Sequence, residues 1–184
     1  MKVAFPQRLE RRVIYESEYV CLYTDRVLLP DGKMIEKYHQ LHYPKEAVCV
    51  VIFNQKQEIM MVHNRRYTIG RLEWEVPAGR VEPGETIYQA ASRECGEETG
   101  CTLKELTFLC SQNPSNGMSD AVCHIFAATV EAENAILDKN EIADKRWFSQ
   151  DQVLDMLKKN ETKDGISMLA ILYALQFYSG VKGE

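Results

Sequence analysis

Long apolar runs, closely spaced cysteine pairs and basic clusters are all missing from this chain of 184 residues. Its longest apolar stretch, residues 166–175, is interrupted by Ser167 and Tyr173 and falls well short of the ~20 residues that a membrane-spanning helix needs. The first six residues lack the apolar core of a secretory signal peptide. We therefore expect a cytoplasmic protein that makes no contact with a membrane.

The basic residues are not clustered either. The net charge is −5, and no run of Lys or Arg is longer than the pairs at 11–12, 65–66 and 158–159. Binding to a nucleic acid duplex normally requires a basic face, so this distribution argues against nucleic acid as a partner. A small anionic ligand remains compatible with it.

Six cysteines are present, but no two of them form a C-x-x-C pair. Several lie inside apolar runs, such as Cys49 within residues 47–51. Structural zinc sites and disulfide frameworks use closer or more regular spacings. We interpret the cysteines as reduced, buried thiols.

The pattern of apolar residues predicts a mixture of strands and helices. Alternation and β-branched runs predict strands over 13–23, 34–42, 47–53, 58–63, 103–110 and 121–130. A turn at 30–33 joins the first two, and residues 64–85 are predicted to be loop around one further short strand. Capping-box pairs predict helices at 87–99, ended by Gly100, and after Ser149, and a final apolar helix is predicted over 166–178.

Strands and helices do not alternate in a βαβ rhythm, which favours an α+β fold over a doubly wound one. We expect an α/β/α sandwich with a mixed sheet over residues 46–184. Residues 1–45 should form a separate, antiparallel strand unit.

The helix predicted at 87–99 changes character along one face. Its stripe begins apolar and ends in three carboxylates, which would repel one another and be costly to bury. A hard divalent cation could balance them, whereas the alternative is a solvated acidic face. The stripe consists of Ile87, Ala90 and Ala91 followed by Glu94, Glu97 and Glu98.

The residues before this helix favour the metal interpretation. Five residues separate Gly79 from Glu85, and seven more lead to Arg93 and the segment 94–101. The pattern resembles the Nudix box, GX5EX7REUXEEXGU, at all seven of its specified positions. Cys95 and Cys101 stand where the family has branched aliphatic residues, and we expect them to pack as small hydrophobes.

This resemblance implies a Nudix-type fold and hydrolysis of a nucleoside diphosphate linked to another moiety. It implies Mg²⁺ as cofactor, with Mn²⁺ as a substitute, held by Glu94, Glu97, Glu98 and the carbonyl of Ala78. Arg93 and Glu85 are expected to pair and to orient those carboxylates.

More of the chain is similar to the ADP-ribose pyrophosphatase branch of that family. The similarity rests on the N-terminal strand unit, residues 66–79, the loop 115–120 and the acidic loop around Glu141. It implies conversion of ADP-ribose to AMP and ribose 5-phosphate. Asn116 replaces a usual proline, which leaves open another nucleotide sugar such as GDP-mannose; a house-cleaning triphosphatase and a non-catalytic nucleotide sensor are further alternatives.

The same resemblance suggests residues that bind the substrate. Arg66 matches an arginine that contacts the substrate, although a plain surface role is the alternative. Glu75 would bind the sugar or else pair with Arg71. Met118 and Ser119 belong to the substrate loop, and Glu141 would bind metal or activate water.

The N-terminal unit is expected to dimerise. A unit of about two strands is marginal in water on its own, so it should dock on a second surface. In the resembling pyrophosphatases this unit packs across a two-fold axis, which places Tyr19 to stack on the adenine of the partner's substrate. The alternative is that the tyrosines cover the core of their own chain.

Overall fold

A computed structural model describes residues 4–135 and 140–181. These residues form two compact units. The first unit comprises residues 4–46 together with 113–122, and the second comprises the remaining described residues. The segment 113–122 therefore belongs with the N-terminal strands, although it is distant from them in the sequence.

The first unit is a three-stranded antiparallel sheet in the order β1-β2-β3. Its strands are β1 (Gln7–Tyr15), β2 (Cys21–Leu28) and β3 (Met34–His42). The prediction of a single strand over 13–23 is wrong, because a turn at Ser17 divides it. The Ser17 hydroxyl accepts the backbone N–H groups of Tyr19 and Val20, at 3.2 and 3.1 Å. The three consecutive polar residues 16–18 break the alternation at this turn, and they were the available signal for it.

An ion pair holds the first unit together. The Arg11 guanidinium donates to both carboxylate oxygens of Asp25, at 2.8 and 2.6 Å, and to the side chain of Gln40 at 2.6 Å. It also lies 4.2 Å from the centre of the Tyr23 ring. Asp25 is only 4% exposed, and Arg11 keeps the pKa of its carboxyl below the usual range. One arginine thus links all three strands.

The segment 113–122 is attached to β3. The Tyr38 hydroxyl donates to the Gly117 carbonyl at 2.6 Å, and the Leu41 amide donates to the Met118 carbonyl at 2.9 Å. Asp120 contacts the His42 ring at 2.6 Å and accepts the Tyr43 amide at 3.0 Å.

The second unit is built on a seven-stranded mixed sheet. Its main path runs β10-β5-β4-β9-β8, with β6 beside β5 and β7 beside β4. The pair β4 and β9 is parallel, and the others are antiparallel. The strands are β4 (Ala47–Phe53), β5 (Ile59–Arg66), β6 (Arg71–Glu75), β7 (Ala78–Arg80), β8 (Cys101–Gln112), β9 (Cys123–Glu133) and β10 (Ile142–Phe148).

Helices cover both faces of this sheet. Helix α1 (Ile87–Thr99) packs on the face that carries Val48, Val50 and Ile52. Helices α2 (Gln150–Lys158) and α3 (Gly165–Phe177) pack on the opposite face. Strand β4 is buried on both sides, which explains its uninterrupted apolar sequence. The predicted α+β class, an α/β/α sandwich with a mixed sheet, is confirmed.

The sequence predicted the position of helix α1 better than it predicted the strands. The bounds of α1 are those predicted, with the Thr86–Gln89 capping box formed and Gly100 in the left-handed region at φ 69°. Between residues 64 and 85 two short strands form rather than one, and β10 was not predicted.

All six cysteines are free, and five of them are buried. No helix among the described residues could span a membrane.

The Arg11–Asp25 pair yields a stability prediction. We expect Asp25→Asn to lower the free energy of unfolding by about 2 kcal/mol at pH 7, because it leaves a partly buried guanidinium without its counter-charge. The folded-state pKa of Asp25 is depressed, so this stabilisation is present above the unfolded-state pKa and is lost as the pH falls through the folded-state pKa. Urea denaturation at pH 7 and at pH 3 measures both effects.

The matched control for this experiment is Glu36→Gln. Glu36 pairs with Arg26 in the same sheet, but both side chains are exposed. Its substitution should leave stability unchanged within error. An equal loss in the two variants would contradict the role assigned to Asp25.

Candidate active site

The loop that precedes α1 is held against the sheet by backbone pairing. Strand β7 pairs with β4, which places Gly79 opposite Val48. The Val50 amide donates to the Pro77 carbonyl at 3.0 Å, and the Val76 amide donates to the buried Ser167 hydroxyl of α3 at 3.1 Å. The loop is therefore a rigid wall against which the acidic face of α1 lies.

Two glutamates of α1 contact this wall. Glu98 is 5% exposed and accepts the Ala78 amide at 3.1 Å. The carboxylate of Glu94 lies where a side chain at position 79 would begin, so only glycine fits there while Glu94 keeps its place. The solvated-face interpretation therefore does not hold for Glu94 and Glu98, whereas Glu97 is more exposed.

Arg93 links the loop to the helix. Its guanidinium donates to both oxygens of Glu85, at 2.7 and 3.0 Å, and to the Arg80 carbonyl at 2.9 Å. It also donates to Glu94 at 2.8 Å and to Glu97 at 3.1 Å. The predicted pair of Arg93 with Glu85 is present, and Arg93 lowers the pKa of Glu85 to about 2.

The buried carboxylates of α1 are electrostatically strained. Burial, together with the charges of Glu141 and Glu94, raises the pKa of Glu98 to about 8, against the opposing effects of the Ala78 amide and Arg66. Burial likewise raises the pKa of Glu94, although Arg93 opposes the shift. A cation entering here would relieve this strain.

Arg66 occupies the opposite side of the site. It donates through Nε to both oxygens of Glu75, at 2.9 and 3.0 Å, and its Nη2 also pairs with that carboxylate. Its Nη1 donates to Glu141 at 2.8 Å. Arg66 is therefore a partly buried, doubly paired side chain. Arg71 pairs with Glu73 at 2.8 Å, so the alternative that Glu75 pairs with Arg71 is wrong.

One cavity of about 390 Å³ brings these groups together. Glu141 enters it from the residues preceding β10; Asp138 and Lys139, which belong to the same predicted acidic loop, lie outside the described residues. The residues that line this cavity are Arg66, Ala78, Gly79, Arg80, Glu94, Glu97, Glu98 and Glu141.

The donor set suits a hard divalent cation, because four glutamates line the cavity. Within residues 4–135 and 140–181, however, no three acidic, histidine or cysteine side chains are already arranged as metal ligands. Glu94 and Glu97 contact Arg93, and Glu141 contacts Arg66. Side-chain rotation would have to accompany metal binding.

Two residues of this region were not predicted. Arg80 lines the cavity, and its position directly after Gly79 was an available signal. Asn64 is fully buried and donates to Glu75 at 3.2 Å, an arrangement that only the pairing of β5 with β6 creates.

The other predicted substrate residues lie in the first unit. Tyr19 is 56% exposed beside the Ser17 turn, and Met118 is 53% exposed in the segment 113–122. Ser119 donates its hydroxyl to the Ser115 carbonyl at 3.3 Å. Their roles in substrate binding stay predictions.

The fold brings four glutamates and two arginines together in one acidic cavity, and comparison with known proteins identifies the class, a hydrolase, and its family. The family described as NUDIX domain matches residues 43–170. The chain is 31% identical over 176 residues to an ADP-ribose pyrophosphatase of Bacillus subtilis, with 94% of each chain covered. This protein belongs to the Nudix hydrolase family, whose members are generally dependent on a divalent metal.

One further relative is similar in sequence and another is similar in structure. An NAD-capped RNA hydrolase of Homo sapiens is 32% identical over 137 residues, which cover 73% of this chain and 29% of that protein. A solved structure described as an ADP compounds hydrolase superimposes with a TM-score of 0.85 at 19% identity, covering 98% of this chain and 97% of the other. The structural likeness supports the fold.

The close approach of Glu94 to Gly79 can be tested by substitution. We expect Gly79→Ala to weaken Mn²⁺ binding at least about tenfold, because the new methyl group displaces the Glu94 carboxylate. The fold should survive, since only the flexible end of a side chain has to move. Isothermal titration with Mn²⁺ and a thermal melt measure the two properties.

Gly96→Ala is the control, because position 96 lies in α1 but has open space around it. This substitution should leave Mn²⁺ affinity unchanged and stabilise the helix by about 0.5–1 kcal/mol. Unaltered Mn²⁺ binding by Gly79→Ala would contradict the proposed geometry.

Proposed function

We propose that the protein is a metal-dependent pyrophosphatase of nucleoside diphosphate sugars, which hydrolyses ADP-ribose to AMP and ribose 5-phosphate. The observation that carries this proposal is the single cavity in which four carboxylates and the Arg66 guanidinium meet. Carboxylates suit metal ions and guanidinium suits phosphate oxygens. The cavity can therefore accommodate both parts of a metal–diphosphate complex.

Mg²⁺ is the proposed ion, with Mn²⁺ as a substitute, because oxygen atoms dominate the candidate ligands. When bound, the ion would polarise the diphosphate and lower the pKa of the attacking water. The proposed ligands are Glu94, Glu97, Glu98, Glu141 and the carbonyl of Ala78.

The remaining groups have distinct proposed roles. Arg66 binds the diphosphate through its cavity-facing nitrogen, and Glu75 fixes the orientation of that guanidinium. Arg93 and Glu85 hold the loop and α1 in register, so that the carboxylates of α1 keep their direction. Glu141 accepts the proton of the attacking water, which its partial exposure allows.

We propose ADP-ribose as the substrate because an ADP-ribose pyrophosphatase is similar to nearly the whole chain. The NAD-capped RNA hydrolase matches it over a smaller share, and the scarcity of basic clusters favours a small-molecule substrate. GDP-mannose and a non-catalytic nucleotide-sensing role are the alternatives. Assays with Mg²⁺ distinguish them by following release of AMP from ADP-ribose and NAD, of GMP from GDP-mannose, and of nicotinamide mononucleotide from NAD-capped RNA.

Glu98 provides the most direct test of the metal-dependent mechanism. We expect Glu98→Gln to lower kcat for ADP-ribose at least about 10³-fold, because the amide keeps the shape of a proposed metal ligand without its charge. Steady-state kinetics at saturating Mg²⁺ and a thermal melt measure activity and folding. Glu105→Gln, an exposed change on β8, is the control. Turnover by Glu98→Gln within tenfold of the parent would refute the metal role.

We further propose that the protein is a homodimer whose N-terminal unit completes the partner's substrate site. Strand β1 is an edge strand, and the apolar side chains of Leu9, Val13 and Tyr15 on it are each at least half exposed. An uncovered apolar edge of this kind is a surface for association. Tyr19 lies beyond the end of β1 and would stack on the adenine.

Two variants separate the parts of this proposal. Val13→Asp should convert the dimer to a monomer at micromolar concentration, because it places a charge in the apolar interface. Tyr19→Ala should raise KM for ADP-ribose about tenfold while the dimer persists, since a stacked base contributes about 1–3 kcal/mol. Light scattering and steady-state kinetics measure these outcomes. A monomeric parent chain with an unchanged KM in Tyr19→Ala would refute the proposal.

A further inference from the structure

Two residues with separate proposed tasks contact each other directly. Arg66 is proposed to bind the diphosphate, and Glu141 to bind metal or activate water. In the structure Arg66 Nη1 donates to Glu141 Oε1 at 2.8 Å inside the shared cavity. This ion pair engages Nη1 of Arg66 and one carboxylate oxygen of Glu141, so each residue's proposed task competes with it.

The rest of the Arg66 side chain is fixed. Its Nε and Nη2 atoms are engaged by Glu75, which is 3% exposed and also accepts a hydrogen bond from Asn64. Breaking a buried pair of this kind is costly. The guanidinium therefore stays against Glu75, and Nη1 is the nitrogen through which it holds a carboxylate of the cavity.

Glu141 is more exposed than Glu75. Its side chain is 43% exposed, whereas that of Glu75 is 4% exposed. Partly exposed ion pairs contribute less to stability than buried ones, so an incoming anion can compete with Glu141 for Nη1 more easily than with Glu75. A diphosphate oxygen would replace one negative acceptor on Nη1 by another and leave the charge around Arg66 balanced.

Once displaced from Arg66, Glu141 can move toward Glu94 and Glu98. It lines the same cavity as Glu94 and Glu98, whose negative charges would repel it unless a cation were present. Movement of Glu141 thus needs an anion to replace it on Arg66 and a cation to attract it. A metal–diphosphate complex supplies both, because its phosphate can bind Arg66 and its cation can attract the released carboxylate.

We propose that Arg66 is a positioning residue for Glu141, which it holds away from the metal ligands until a diphosphate takes its place on Nη1. This inference rests on the proposed function and adds an order of events to it. Substrate binding, rather than metal binding alone, releases the carboxylate that serves the reaction.

The test measures binding without metal and without turnover. In EDTA, Glu141→Gln should bind ADP-ribose about threefold to tenfold more tightly than the parent chain, because the diphosphate no longer competes with a carboxylate for Arg66. Isothermal titration gives the affinity, and a thermal melt confirms that the variant folds.

Glu97→Gln is the matched control. It removes one negative charge from the same cavity, but Glu97 pairs with Arg93 and not with Arg66. Its affinity for ADP-ribose should change less than twofold. Equal tightening in both variants would assign the effect to net charge and overturn the inference, as would unchanged, weaker or undetectable binding by Glu141→Gln.

Hydrolysis by the parent chain separates this inference from the proposed function. If the parent chain with Mg²⁺ hydrolyses ADP-ribose while Glu141→Gln shows no tighter binding, only the order of events is wrong. If the parent chain hydrolyses none of the tested diphosphates, the proposed function fails.

Discussion

The second unit depends on the neutralisation of carboxylates that its fold brings together. Burial penalises the negative charges of Glu94 and Glu98, and it is the main reason why the pKa of Glu98 rises to about 8. Two guanidinium groups offset part of this charge from opposite sides. Arg93 acts from α1, and Arg66 acts from the end of β5. The charge that remains is the physical basis for the cation binding proposed above.

The sheet makes this arrangement rigid. Strand β4 is buried on both faces, and its pairing with β7 fixes the loop that α1 faces. Ser167 of α3 holds the same loop from the other face of the sheet. Because backbone hydrogen bonds and core packing position the loop, the carboxylates of α1 meet a wall that does not have to be reorganised for binding.

A cavity of carboxylates and arginines recognises charge, and charge alone does not distinguish one nucleoside diphosphate compound from another. The relatives illustrate this, since one is an ADP-ribose pyrophosphatase and another is an NAD-capped RNA hydrolase. Residues outside the box must therefore select the substrate. The segment 113–122 and the Ser17 turn carry the exposed Met118 and Tyr19, which are proposed to contribute to that selection.

The sequence by itself determined the elements that local chemistry specifies. The caps and periodicity of α1, the apolar run of β4 and the spacing from Gly79 to the glutamates required only neighbouring residues, so they were predictable. The tertiary structure alone decided the partners of strand β10 and of Arg66. The pair of Arg66 with Glu141 joins residues 75 positions apart. Such contacts depend on strand order and register, which no local pattern encodes.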